Sequence, residues 1–272
     1  MVISMINLTL YKKEMKQNML IFLIFVSLTI LYGVIVSALF DPVAEGLGWM
    51  QIMQETYPEM LDFIGFNVAQ FNDYQYFVSG YLYGMLFILF GLIYINILSN
   101  RLIYRYLDRG SIVLLLATPN SRTKIIITQI KVLGTYIFAL TMSMFLITGG
   151  FGAIFNPAYV DFGKLFYLNI SFCIMLTFIC SVMVLCHCLF EGKLAQGLGI
   201  GLPIIFFFMR LVSNLGDNYE IASYFTPFSL FNPMLCINYD ALSFVYNGIL
   251  IALSIVLFGF TLFGFNKRDL SI

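Results

Sequence analysis

Arg101, Arg105 and the pair Asp108 and Arg109 recur at helical spacing, so guanidinium groups and one carboxylate share a polar face. Arg122, Lys124 and Lys131 follow, and residues 100–131 hold six of the fourteen Lys and Arg residues. A basic face of this kind docks partners and does not break bonds. Catalytic signatures are missing elsewhere. No Gly-x-x-x-x-Gly-Lys-Ser/Thr loop is present to cradle a nucleotide, and no HExxH pair to hold zinc. With one His, imidazole acid–base work inside the membrane is not expected. Cys186-His187-Cys188 invites a metal reading, but neighbouring helical residues point in different directions and cannot easily share one ion; no metal site is expected. Cys173, Cys180 and Cys236 complete the cysteines, with no CxxC spacing, and read as small apolar residues.

The elements that must position the basic face are membrane helices. The chain is 61% hydrophobic and 10% charged, against about 25% charged in a soluble domain. Its formal net charge of +0 argues against nucleic acid as a partner. Apolar runs predict six spans, at about residues 20–40, 76–98, 125–151, 164–190, 194–213 and 244–265. Apart from Lys164 and Arg210, every Lys and Arg falls on one side of these spans. The positive-inside rule makes that side cytoplasmic, with both termini there. The expected protein is all-α: a single polytopic domain over residues 1–272 in the cell membrane. Residues 5–18 read as a short basic amphipathic helix on the inner surface, carrying Tyr11, Lys12, Lys13 and Lys16. An ordinary basic flank orienting the first span fits the same residues.

Within residues 100–124, the apolar run 112–116 requires burial in headgroups or a partner. Pro119 stops a helix, and Asn120 or Ser121 caps the next. The order Asp108, Arg109, Gly110, an apolar run, Pro119, Ser121, Arg122 and a later Lys131 resembles the first cytoplasmic loop of type-2 ABC exporter permeases, as does the six-span layout. That resemblance implies a coupling helix docking into a separate ATPase subunit, with Arg105, Asp108, Arg109, Gly110, Pro119 and Arg122 as its coupling residues. It implies an interfacial elbow at Tyr11, Lys12, Lys13 and Lys16, and re-entrant helices between the last two spans. It also implies a second permease copy or paralogue, with ATP and Mg held by the ATPase and no cofactor in this chain. The residues also fit the plainer reading of a basic cytoplasmic loop that obeys the positive-inside rule.

Residues 41–75 carry six carboxylates and no Lys or Arg, which reads as an acidic vestibule or as a solvated outer face. Gly80 and Gly84 make a GxxxG spacing that permits close helix contact. Gly197, Gly199, Gly201 and Pro203 predict a kink or local unwinding in the fifth span. Arg210, near the outer end of that span, faces a cavity or snorkels to the interface. With Asp217 and Glu220 it marks a candidate substrate path. The spans contain almost no carboxylates of the kind ion-driven transporters place at the midplane. The expected function is therefore outward movement of an amphipathic or lipophilic substrate, peptide or drug favoured, by a borrowed ATPase. The other class is a non-transporting scaffold or sensor whose cytoplasmic loop binds a regulator.

Overall fold

The computed structural model describes residues 6–40, 73–110, 121–215 and 217–267, with residues 52, 55–57 and 60; the side chains of residues 217, 218 and 220 fall outside this set. Every regular element among the described residues is helical. Six helices are long and apolar enough to cross a membrane: α1 (Leu8–Leu39), α2 (Tyr74–Asp108), α3 (Arg122–Phe155), α4 (Phe162–Leu189), α5 (Gly192–Ser213) and, after a short α6 (Pro233–Ile237), α7 (Ala241–Lys267). Polar caps set their starts. Asn7 accepts from Leu10 N–H at 3.0 Å, Ser121 from Lys124 N–H at 3.2 Å, and Asp161 from Gly163 N–H at 2.9 Å.

Cross-helix hydrogen bonds fix which ends lie together. At one end Asn7 N–H donates to Thr128 Oγ1 at 3.0 Å, and Thr123 Oγ1 to Asn266 Oδ1 at 3.1 Å. At the other, Gln75 Nε2 donates to the Tyr159 carbonyl and Asn156 Nδ2 to the Ser37 carbonyl, each at 3.0 Å. The spans therefore alternate in direction. Both ends of the described chain lie at the end that carries Arg101, Arg105 and Arg109, called here the basic end.

α4 is the centre, packed against α2, α3, α5, α6 and α7. Its most apolar window is 72% buried, against 22% for α1 and for α7. α1 reaches the bundle mainly through α3. Between α5 and α7, 3₁₀ turns Asp217–Phe225 and Pro227–Leu230 lead into α6. Thr226 and Asn232 cap the second turn and α6, each followed by a proline at the first helical position. Phe228 and Phe231 fold back into the core, Phe231 against Phe172 with ring centroids 5.5 Å apart.

Two local expectations are corrected and a third is narrowed. No break separates a surface helix from the first span: α1 runs unbroken for 32 residues, about 48 Å at 1.5 Å per residue. Residues 8–20 hold neither Gly nor Pro and are rich in good helix formers, and the buried positions Leu10, Glu14 and Asn18 continue the stripe of Phe25, Thr29 and Gly33. The second span likewise does not end near residue 98. It runs on to Asp108, through π-helical stretches at Ser79–Leu86 and Asn100–Tyr104, so the Arg face rides on the span itself. Of the kink or local unwinding expected in the fifth span, the unwinding is absent: α5 stays helical with Pro203 inside it. The acidic segment 41–72, apart from the isolated positions named above, residues 112–116 and Pro119 lie outside the described residues.

Several glycines of this bundle lie against α4. His187 is 1% exposed, and a Cβ at Gly199 would sit 2.5 Å from its Nε2. Gly199→Val should therefore destabilise the protein by about 1–3 kcal/mol through overpacking. The check is thermal unfolding in dodecyl maltoside, with His187→Ala added to open the space. Equal losses with and without His187→Ala would show that this contact is not the cause.

Candidate functional site

Two polar sites lie at opposite ends of the bundle. The first is at the basic end, where α2 extends beyond its apolar part and meets α1. Arg101, Arg105 and Arg109 are exposed, one per turn. With Glu14, Gln17, Asn18 and Tyr106 they line a cavity of about 190 Å³. Among the described residues none of the three guanidinium groups has an ion pair or a side-chain hydrogen bond. Glu14 is 2% exposed, and its Oε1 accepts from the Tyr106 hydroxyl at 2.6 Å. Asn18 Nδ2 donates one turn back to the Glu14 carbonyl at 2.9 Å, leaving its own Oδ1 buried and unpaired. The carboxylate is thus held inward by a hydroxyl while the cations face out.

The remaining predicted residues at this end have distinct roles. Asp108 is exposed, and its Oδ1 accepts from Tyr104 Oη one turn earlier at 3.2 Å. Gly110 has φ +64°, and its N–H donates to the Leu107 carbonyl at 3.1 Å. It ends α2 in the left-handed conformation that glycine takes without strain. Arg122 opens α3 directly after its Ser121 cap. Tyr11 bonds Thr135 Oγ1 at 2.9 Å, tying α1 to α3, and the Tyr136 hydroxyl donates to the Met15 carbonyl. Lys12, Lys13 and Lys16 are exposed on the opposite side of α1 from Glu14 and Asn18.

The second site surrounds Arg210, near the far end of α5. A cavity of about 360 Å³ is lined there by Arg210, Ser79, Gly80, Ser213, Ser229 and Asn232, among others. Arg210 Nη1 exposes less than 1 Å² and has no hydrogen-bond partner. Its Cζ lies 5.9 Å from the Phe231 ring centroid, over the ring face. The GxxxG pair, Gly80 and Gly84, forms wall of this cavity. The side chains of Asp217 and Glu220 lie outside the described residues, so only Arg210 of the candidate path is placed.

Sequence reasoning missed Glu14, Asn18, Tyr104 and Tyr106. The available signal was Glu14 itself, the only acid among three lysines, one helical turn before an Asn. It also missed the Ser and Asn lining around Arg210, which comes from α2, α5 and the segment after it. Among the described residues, no group of three His, Cys, Asp or Glu side chains is placed to hold a metal ion. Cys186 and Cys188 are buried beside His187, whose ring packs on Tyr104 with centroids 5.5 Å apart.

Fold and sites together define a multi-pass helical membrane protein. No family model, curated protein or solved structure matches the chain.

Removing one partner of a buried charged hydrogen bond leaves the other stranded. Tyr106→Phe should therefore cost about 1–3 kcal/mol of stability. The same substitution in a Glu14→Ala background should cost far less. Thermal unfolding of the four proteins in detergent gives the coupling directly. A coupling near zero would remove the Glu14 carboxylate from the docking of α1 on α2.

Proposed function

We propose that this chain is the permease subunit of an ATP-driven exporter of the type-2 ABC kind. The observation that carries the reading is the extension of α2. Its 35 residues reach about 50 Å, well beyond a hydrocarbon core of about 30 Å. The excess carries three exposed Arg residues with no ion pair among the described residues and stops at Gly110, immediately before the segment that resembles a coupling helix. A rigid basic rod aimed out of the membrane is a docking surface.

In this reading the basic end is cytoplasmic and the membrane is the plasma membrane. The loop 100–124 serves as the coupling loop, with Arg105, Asp108, Arg109, Gly110, Pro119 and Arg122 as its coupling residues; its apolar run 112–116 and Pro119 lie outside the described residues. The first turns of α1, with Tyr11, Lys12, Lys13 and Lys16, take the place of the elbow at the inner headgroups. The turns before α7 and α6 take the place of the re-entrant helices. A separate ATPase subunit binds ATP and Mg and drives the cycle, so this chain alone hydrolyses nothing. A second permease copy or a related chain completes the path. The exposed apolar faces of α1 and α7 are free for lipid or that copy; Leu20, Leu31, Ile255 and Phe260 lie on them.

Co-purification from the native host tests the reading. The chain should bring down a phosphate-loop ATPase, and the purified chain alone should lack ATP hydrolysis. Asp108→Arg and Gly110→Pro should each cut ATPase association and export while leaving membrane insertion intact. Proline cannot adopt the positive φ of Gly110, and the reversed charge adds repulsion of several-fold larger effect than loss of one exposed ion pair. Asp240→Arg, at the opposite end, should leave association unchanged. Normal association in both basic-end variants, or capture of a regulator and no ATPase, would move the chain to the scaffold class.

Topology is checked separately by cysteine labelling in a cysteine-free background. Positions 109 and 191 should label only from inside, and position 219 only from outside. An outside label at position 109 would overturn the orientation.

A further inference from the structure

We infer that the Arg210 cavity is a binding site for a small amphipathic anion: a carboxylate or phosphate head with a hydrogen-bond donor beside it and an apolar tail. The inference deepens the exporter reading by naming the chemistry of its cargo, and it rests on that reading only for the direction of transport.

A guanidinium inside a membrane protein is costly unless something offsets its lost hydration. Among the described residues nothing does so fully. Nη1 is sealed from solvent and makes no hydrogen bond, and no carboxylate of a described residue lines the cavity. The Phe231 ring face meets the cation but cannot accept a directional N–H bond in the guanidinium plane. Snorkelling would have carried the head to water, yet Nη1 is buried. Arg210 lines a volume of about 360 Å³, within the range of roughly 300–1,000 Å³ typical of small-molecule sites.

The rest of the lining refines the ligand. Ser213 Oγ donates to the Arg210 carbonyl at 2.7 Å, Ser229 Oγ to the Thr226 carbonyl at 2.7 Å, and Ser79 Oγ to the Tyr76 carbonyl at 2.8 Å. These three hydroxyl protons are committed, so each oxygen offers lone pairs. They suit a hydroxyl or amide N–H next to the anion. Asn232 Oδ1 is taken by the Met234 and Leu235 N–H groups, which leaves its amide N–H groups for the ligand's oxygens. Phe228, Phe231, Pro233 and Met234 supply apolar wall for the tail. Gly80 and Gly84, on the π-helical stretch of α2, add no side chain to that volume. π-helical turns inside longer helices are frequent at functional sites.

The test is binding to the full chain in dodecyl maltoside, read by native mass spectrometry. The anionic ligands are 1-palmitoyl lysophosphatidate, with a phosphate and a free hydroxyl, and N-palmitoylglycine, with a carboxylate and an amide N–H. The comparisons are uncharged monopalmitoylglycerol and cationic dodecyltrimethylammonium. At least one anionic ligand should bind about tenfold or more tightly than both comparisons, and Arg210→Gln should remove that preference. Arg210→Lys should keep part of it, since the charge stays and the fork is lost. Whichever anion binds tighter names the source, phosphate or carboxylate. Equal binding of all four ligands by the unaltered chain overturns the inference, as does an anion preference that survives in Arg210→Gln.

Should Arg210→Gln fail to fold, cysteine reactivity decides on protein that keeps Arg210. Ser213→Cys in a cysteine-free background should react faster with the anionic sulfonatoethyl methanethiosulfonate than with its trimethylammonium analogue, and N-palmitoylglycine or lysophosphatidate should protect it. The reverse order of rates, or no protection, overturns the site. None of these measurements needs the ATPase. Anion binding without a co-purifying ATPase would retire the exporter reading and keep the site, and the converse result would do the opposite.

Discussion

Close contact along α4 holds this bundle together. Between membrane helices, hiding apolar surface from water provides no drive, so association rests on dense packing and on hydrogen bonds across spans. α4 supplies both toward several neighbours. Toward α2, Asn169 Nδ2 donates to the Tyr83 hydroxyl, and Leu176 lies over Gly91, where an added Cβ would meet it at 2.5 Å. Toward α7, Asn247 Nδ2 donates to Ser171 Oγ at 2.7 Å. Toward α5, His187 lies over Gly199, and toward α3, Phe162 closes on Gly149. α1 is attached mainly through α3, with Gly33 under Ile147 and Tyr11 bonded to Thr135.

How much of this is legible in the sequence depends on the kind of signal. Six spans are legible because a run of apolar residues long enough to cross hydrocarbon has few other uses. The ends of the helices are not, because a helix does not stop where polarity begins. Residues 8–20 and 99–108 are polar or basic yet rich in helix formers, so α1 and α2 simply continue through them. The positive φ of Gly110 marks the true stop, whereas the sequence reading named Gly110 only as a coupling residue and put a helix stop at Pro119. Glycine spacing misleads for a different reason. Gly80 and Gly84 have the pattern of a contact motif but border a cavity. Gly91, Gly152 and Gly199 show no such pattern, yet each lies under a large side chain, Leu176, Tyr74 or His187. Close approach is a property of the pair of faces, and the second face is not in the motif.

Of the candidate residues, Arg210 was legible as an oddity because an arginine in a span demands an explanation. Its surroundings were not. Ser79 on α2, Ser213 on α5 and Asn232 before α6 meet only because Phe228 and Phe231 anchor the returning segment in the core against Phe207 and Phe172. Glu14 was hidden for the opposite reason. A lone acid among lysines reads as surface charge, whereas its partner Tyr106 lies 92 residues away in the chain.

α2 is the one element that takes part in both polar sites. Its π-helical stretch Ser79–Leu86 borders the Arg210 cavity, and its second, Asn100–Tyr104, leads into the exposed Arg face. Between them Phe87–Ser99 is ordinary α-helix, fixed against α4 by Gly91 and Leu176. Coupling between distant sites needs an element with two arrangements that both sites bias. An α-helical rod transmits a displacement but offers no second state of its own. A π turn differs from an α turn by one step in hydrogen-bond register, i→i+5 in place of i→i+4. Its register can move along the helix without melting it. The two π-helical stretches of α2 sit where it meets the Arg210 cavity and where it leads into the exposed Arg face. On the exporter reading proposed above, the α-helix Phe87–Ser99 between them is the link between cargo and engine.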